Sequence, residues 1–316
     1  GGQRYTVGER LLSCAAYGVT SCTVTLFNKA VFSHYKFYFP NVVTLCQIVA
    51  SLACIAALGQ GGLLELQSLD LATARKVLPL TLCWWVSVMS GVTSLKYLSV
   101  PMFSVLRRTV TVLVMCLEMI FLRKFPSRPV AVAVVAMVAG ACVAGVSDLS
   151  FSAAGYAYVG VSIATTAIYL ILIRQLKDGL GVSEQMLLYY NNVLALPVML
   201  AYMLFFTTEA QDVWEFPLVA ELDKQFLAFL AFSSLQVFFL NMCIFKCTTI
   251  NSPLATSVTG QMKDLVLTAL GLCLFGDVTF SPLNFVGLGV GMLGGMLFAY
   301  SSYRTAAAAA AEEEKE

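Results

Sequence analysis

Charge is scarce in this sequence, and histidine scarcer still. Only 12% of the 316 residues are Asp, Glu, Lys or Arg, and the single histidine is His34. A soluble domain of this size carries roughly twice that charge fraction. With one histidine and no nucleophile motif, hydrolytic chemistry has little to build on, so the chain does not read as an enzyme. Neither a G-x-x-x-x-G-K-[ST] loop nor an H-E-x-x-H helix occurs, so no cofactor and no metal are expected. None of the ten cysteines sits in a loop where an oxidising lumen could pair it, which argues against a disulfide framework. Cys243 and Cys247 share a helix face without a His or acidic ligand, and read as core filling. The net charge of +1 calls for no acidic partner, and soluble nucleic-acid modules have no room here.

What the sequence has is apolar length. It is 59% hydrophobic, with a mean hydropathy of +0.82. The apolar runs are too long for the alternating strands of an outer-membrane barrel. The fold class is therefore all-α and polytopic in a lipid bilayer. Ten transmembrane helices are expected over 10–32, 40–59, 75–96, 101–122, 129–147, 153–175, 184–206, 225–246, 252–275 and 282–303. Pro, Gly and polar clusters punctuate them, and the acidic stretch 207–224 reads as a loop. The Ala-rich, acidic tail 306–316 extends the last helix into water. The chain opens Gly1-Gly2 rather than with Met, so its true start is expected upstream. No cleavable signal is visible, and the first helix can itself target the chain.

An even number of spans puts both termini on one side. Twelve of the nineteen Lys and Arg fall on that side; Lys36, Lys96 and Lys224 fall opposite, and four lie within spans. The positive-inside rule then places both termini in the cytosol. Pro101 and Pro253 open the fourth and ninth helices, and Pro129 and Pro282 open the helices that follow. Ser104 and Thr256 sit three residues past the first two prolines, with basic residues beyond. Five helices per half would be inverted in the membrane, giving repeats over 1–150 and 151–305. Inverted repeats with charges near the midplane are a transporter pattern.

The stretch 249–275 carries Lys263 near its middle. A charge at that depth costs about 3 kcal/mol on insertion scales and usually faces a polar cavity. Gly260, Thr259, Thr256 and Ser252 precede it at helical spacing, a small polar stripe along which an anion can approach. Asp264 points about 100° away and is free to pair with a neighbouring helix. Arg107 and Arg108 form a forked donor array suited to phosphate, with no choice made between them. Glu118 shares a face with Arg107 but lies too far along the helix to pair with it directly. Asn28 and Lys29 lie near the luminal end of the first helix, where Lys29 can snorkel or contact ligand. Tyr189, Tyr190, Asn191 and Asn192 open the seventh helix; a ring there can stack on a base and an amide can match its edge. The alternative is amides that join helices. Gly287, Gly291 and Gly295 form a close-packing face, with a homodimer through it as a lesser reading.

These motifs resemble the nucleotide-sugar transporters of the drug/metabolite transporter superfamily over nearly the whole chain. Within that family the chain is most similar to the group moving UDP-N-acetylglucosamine, UDP-glucuronate and related UDP-sugars. The similarity rests on Val100-Pro101-Met102-Phe103-Ser104-Val105-Leu106-Arg107-Arg108, on Gly145-Val146-Ser147-Asp148-Leu149, and on the run from Asn251 to Asp264. The resemblance implies ten helices in two inverted halves and residence in the Golgi or ER membrane. It also implies exchange of a cytosolic nucleotide sugar for a luminal nucleoside monophosphate, with Lys263 at the phosphate or sugar end. Gly260-Gln261-Met262-Lys263 lacks the asparagine of the GDP-mannose group's Gly-Ala/Ser-Leu-Asn-Lys motif. Tyr190-Asn191-Asn192, in contrast, is similar to that group's helix-seven motif. The fourth helix decides for UDP and UMP over GDP and GMP. A plastid-type phosphate or triose-phosphate exchanger shares the basic residues but has little use for Tyr189 to Asn192.

Overall fold

The structure is a computed structural model that describes residues 5–62, 69–98, 100–145, 152–275 and 282–313. Its elements are α1 (Val7–Ser33), α2 (Pro40–Gln60), α3 (Leu71–Ser94), α4 (Val100–Arg108), α5 (Val110–Phe121), α6 (Arg128–Gly145) and α7 (Ala153–Leu180), then α8 (Glu184–Phe206), α9 (Glu209–Glu215), α10 (Pro217–Ala220), α11 (Lys224–Ile250), α12 (Pro253–Phe275) and α13 (Pro282–Glu313). No strand occurs among the described residues. Among the described residues, six helices are long and apolar enough to cross a membrane: α2, α3, α7, α8, α11 and the Val7–Asn28 part of α1.

Short polar side chains decide where many of these helices begin, because the first-turn N–H groups have no partner inside the helix. At α1, Thr6 Oγ1 accepts the Glu9 N–H (3.2 Å) while Glu9 Oε2 accepts the Thr6 N–H (2.8 Å), a reciprocal capping box. Asp70 Oδ2 accepts the Thr73 N–H at α3, and Ser183 Oγ accepts the Met186 N–H at α8. Asp223 Oδ1 takes the Phe226 N–H at α11. α7 ends at Gly181, whose φ of +64° suits a residue without a side chain.

Two stretches differ from the helix positions read from the sequence. The span expected over 101–122 is two helices. Thr109 sends its N–H (3.0 Å) and its hydroxyl (2.7 Å) to the Leu106 carbonyl, a three-residue closure between α4 and α5, while its own backbone stays in the helical region. The stretch 207–224, expected as a loop, contains α9 and α10.

The chain divides into two compact units. One comprises Gly1–Gly18, Val86–Gln175 and Cys247–Glu316, the other Val19–Trp85 and Leu176–Lys246; the divisions fall within α1, α3, α7 and α11. In the first unit α13 runs along α6, glycine against glycine. A Cβ on Gly140 would lie 2.6 Å from both Gly287 O and Gly291 N, and one on Gly294 2.9 Å from Ala133 O. Gly295 faces Met262 of α12. The glycine face offered to a dimer by the sequence is therefore occupied within the chain. α12 packs on α5 and α13.

In the second unit α2 packs on α8, and Glu209 of α9 closes the start of α2. Its Oε2 accepts the Asn41 N–H (2.9 Å) and the Val42 N–H (3.3 Å), and its Oε1 accepts Asn41 Nδ2 (2.6 Å). Behind this cap lies an aromatic core. Phe37 and Phe226 are fully buried with Val31, Val43 and Leu230, their ring centroids 5.1 Å apart.

The glycine seam generates a paired test. Gly140→Ala must displace backbone on α13 and is expected to cost about 1–3 kcal/mol of stability. Gly160 has nothing within 4 Å of an added methyl, and Gly160→Ala is expected to gain about 0.5–1 kcal/mol. Thermal melts of both variants in one detergent check the pair; a stabilised Gly140→Ala would contradict the seam.

Candidate functional site

In the first unit the site is built on α12 and on the junction of α4 with α5. The Lys263 side chain is 14% exposed, and its Nζ lies 2.8 Å from Asp264 Oδ1. Asp264 was expected to pair with a neighbouring helix; the ion pair seen here lies within α12. The long lysine stem closes the angle between consecutive positions. The Asp264 charge also reaches Arg108 and Tyr17.

The polar stripe before Lys263 has local work as well. Ser252 Oγ accepts the Ala255 N–H at 3.1 Å and so caps α12. Thr256 Oγ1 lies 3.0 Å from Thr248 Oγ1, and Thr259 Oγ1 donates to Ala255 O at 2.8 Å. At Gly260 a Cβ would fall 2.8 Å from the Tyr17 hydroxyl, so the missing side chain is the room that Tyr17 of α1 fills.

The two arginines differ. Arg107 is exposed, with its guanidinium carbon 5.5 Å from the Phe103 ring centroid, a cation–π contact. Arg108 is 8% exposed, and its buried Nε has no hydrogen-bond partner. The Arg108 carbonyl accepts Gln261 Nε2 at 2.7 Å, while Gln261 Oε1 is buried and unbonded. Buried polar atoms without partners are uncommon in folded proteins, and a buried cation with an open donor is a place for an anion.

Glu118 supplies the frame. Its Oε1 accepts the Leu254 N–H at 2.8 Å, and Ser252 hydrogen-bonds the same carboxylate, so a buried charge sits on the start of α12. Arg174 Nη1 donates to Thr249 O at the other side of the corner between α11 and α12.

In the second unit Tyr189, Tyr190, Asn191 and Asn192 occupy the first turns of α8, and their roles separate. The buried Tyr190 hydroxyl accepts the Asp70 N–H at 2.8 Å, tying α8 to the start of α3. The Thr73 N–H, with the Thr73 hydroxyl, holds the Asp70 carboxyl below the usual carboxylate range. That cap is complete above the ordinary Asp value and is lost as pH falls through the lowered one. Asn192 Nδ2 turns back to Leu188 O at 3.0 Å. Asn191 is 4% exposed and its Oδ1 has no partner, while Tyr189 is half-buried beside Tyr190. Asn28 Oδ1 accepts Ser233 Oγ at 3.2 Å and Gln47 Nε2 at 3.4 Å, joining α1, α11 and α2 as an amide between helices does. The Lys29 side chain lies outside the described residues.

Sequence reasoning did not single out Tyr17 or the bond from Gln261 to the Arg108 carbonyl. Gly260 was the available signal for Tyr17, since a glycine in a helix often marks close approach.

Residues 9–301 match the model of the Triose-phosphate Transporter family. The chain belongs to this family. The UDP-sugar transporter UST74c of Drosophila melanogaster is 33% identical over 94% of this chain and 79% of its own length. The UDP-N-acetylglucosamine transporter UGNT1 of Arabidopsis thaliana is 31% identical over 90% of this chain and 86% of its own. A crystal structure of a protein 12% identical to this chain superposes with a TM-score of 0.70, covering 96% of this chain and 99% of that one, a likeness of fold. The motif resemblance to UDP-sugar transporters thus holds at the level of relatives, and the Triose-phosphate Transporter family is one of membrane transporters.

For this family member, Tyr190→Phe separates structure from recognition. It keeps the ring and loses the acceptor for Asp70, so it is expected to lower stability by about 1 kcal/mol with nucleotide affinity unchanged. Melting and UMP titration of the same preparation check it.

Proposed function

We propose that this chain is a nucleotide-sugar antiporter that exchanges a cytosolic UDP-sugar for luminal UMP. The sugar is N-acetylglucosamine, glucuronate or a related one, and the membrane is that of the Golgi, with the ER as the alternative. The observation that carries this reading is the buried Arg108 guanidinium with its open Nε, in the same unit as Arg107 and the Lys263–Asp264 pair. Of Arg107, Arg108 and Lys263, only Lys263 has a carboxylate paired to it, Asp264, while Glu118 is engaged at the start of α12. The diphosphate of a UDP-sugar and the phosphate of UMP both supply the missing anion. Gly260, Thr259 and Thr256 carry Lys263 toward it. Taken by itself, the second unit offers Tyr189 and Asn191 of α8 as the readers of a nucleobase, because the Tyr190 hydroxyl and the Asn192 Nδ2 are already engaged.

Ten spans in two inverted repeats, 1–150 and 151–305, belong to this proposal, as do cytosolic termini and the cytosolic tail 306–316. So does coupling of the two transport directions, because a carrier that rocks about one charged site returns loaded. A homodimer would have to use a face other than the α6–α13 seam. The pair Asn191-Asn192 favours a second reading, a GDP-sugar/GMP antiporter of GDP-mannose type. The basic residues alone would also suit a phosphate or triose-phosphate exchanger.

Proteoliposomes preloaded with UMP, GMP or phosphate and offered labelled UDP-sugars, GDP-sugars and triose phosphate separate these readings. UDP-sugar uptake is expected only with internal UMP; uptake into empty vesicles at the same rate would sink the antiport. Lys263→Ala is expected to abolish exchange of every nucleotide sugar and of UMP while the protein still folds. Wild-type UMP affinity in that variant would remove Lys263 from the phosphate site. Asn191→Ala is expected to weaken UMP and UDP-sugar together, by about 1–3 kcal/mol on the scale of lost base-edge contacts. A loss confined to one sugar would assign the amide to the sugar instead.

A further inference from the structure

Two thiols meet beside the proposed phosphate site, and transport chemistry has no use for them. Cys14 of α1 and Cys247 at the end of α11 have their sulfurs 3.5 Å apart, both as free thiols in the first unit. Cys14 is half-buried and Cys247 is fully buried. Asn251, one turn after Cys247, places Nδ2 3.4 Å from Cys14 Sγ and 3.8 Å from Cys247 Sγ, and anchors at 2.8 Å on Ser13 Oγ. Thr259 hydrogen-bonds Cys14 and Thr256 hydrogen-bonds Cys247. Each sulfur is therefore reached by a hydroxyl from the stripe that leads to Lys263, and one amide serves both. Core-filling cysteines need none of this.

We propose that Cys14 and Cys247 form a peroxide-sensitive dithiol whose closure to a disulfide arrests the carrier. The arrest rests on the transport reading above; the dithiol itself does not. Cys14 is the more exposed of the two thiols and so the one a small neutral peroxide meets first. The Cys14 thiolate attacks one oxygen of hydrogen peroxide, giving a sulfenic acid and releasing hydroxide. The Cys247 sulfur then attacks Cys14 Sγ and displaces the oxygen retained there, which leaves as water with the Cys247 proton. In all, two thiols and one peroxide give one disulfide and two waters, with both sulfurs oxidised and both oxygens reduced. Asn251 can hydrogen-bond whichever sulfur carries negative charge during these steps. The sulfurs need to approach by about 1.5 Å to reach bonding distance.

The consequence follows from what the bond would join. Cys14 lies one turn before Tyr17, whose hydroxyl packs on Gly260. Cys247 lies one turn before the corner that Glu118 and Arg174 hold. A covalent link would fix the first turns of α1 to the end of α11, so any motion of Tyr17 past Gly260 during exchange would stop.

The test uses the full chain in proteoliposomes, treated with hydrogen peroxide and then mapped by differential alkylation and peptide mass spectrometry. A Cys14–Cys247 linked peptide is expected, with at least a tenfold loss of UMP-dependent exchange that dithiothreitol restores. Cys14→Ser and Cys247→Ser are expected to exchange when reduced and to resist peroxide, while Cys243→Ser stays as sensitive as the parent. The absence of the linked peptide overturns the dithiol, whether or not the serine variants fold. A linked protein that exchanges at the reduced rate overturns the arrest, as does equal inhibition of Cys14→Ser. If the reduced parent shows no UDP-sugar exchange at all, the transport reading fails, and the mapping still decides the dithiol.

Discussion

A helix that begins inside an apolar medium brings N–H groups that nothing in the hydrocarbon can accept. Proline at the first position removes one donor and leaves the others. At α12 the remaining demand is met by a charge, Glu118, reaching from α5 to the Leu254 N–H. At α2 it is met by Glu209, which takes the N–H groups of Asn41 and Val42. Each unit thus has a proline-started helix whose first turn is closed by a carboxylate from another element. The arrangement needs the carboxylate as much as the helix does, since a buried Glu without donors would be costly. The placement of α12, and with it Lys263, depends on that mutual satisfaction.

The same accounting explains why the cations of the first unit are unequal. Arg107 is exposed at the protein surface and lies against the Phe103 face. Lys263 has Asp264, and the pair costs less than a lone lysine at that depth. Arg108 has neither water nor a bond at Nε, only the field of Asp264. A buried guanidinium tolerated in this state stores a free-energy deficit that an incoming anion removes. On the antiport reading proposed above, affinity for phosphate and reluctance to return empty would have one cause.

Much of this was legible in the sequence because it depends on local chemistry. Proline and glycine at 40, 101, 181, 253 and 282 mark helix ends whatever the neighbours are, and apolar length sets the spans. The glycine run in α13 announced close packing but not its partner, since α6 meets it only in three dimensions. The break at Thr109 was not legible. A threonine within an apolar run ordinarily bonds back without ending the helix, and whether it offsets the next turn depends on what packs there. The Lys263–Asp264 pair was missed for a related reason: backbone angle separates consecutive residues, but a four-carbon stem does not have to follow it.

The α8 quartet shows where sequence reasoning must stop. Four adjacent polar residues present four candidate readers of a ligand, and the sequence does not choose among them. Which of them is free depends on contacts far along the chain: Asp70 takes the Tyr190 hydroxyl, and Asn192 bonds within its own helix. Asn191 is left with an acceptor that is buried and unbonded. A polar atom in that condition lowers stability in the empty protein, as Arg108 Nε does in the other unit. Sites of recognition in an apolar protein are therefore better sought among the atoms the fold fails to satisfy than among the residues a motif brings together.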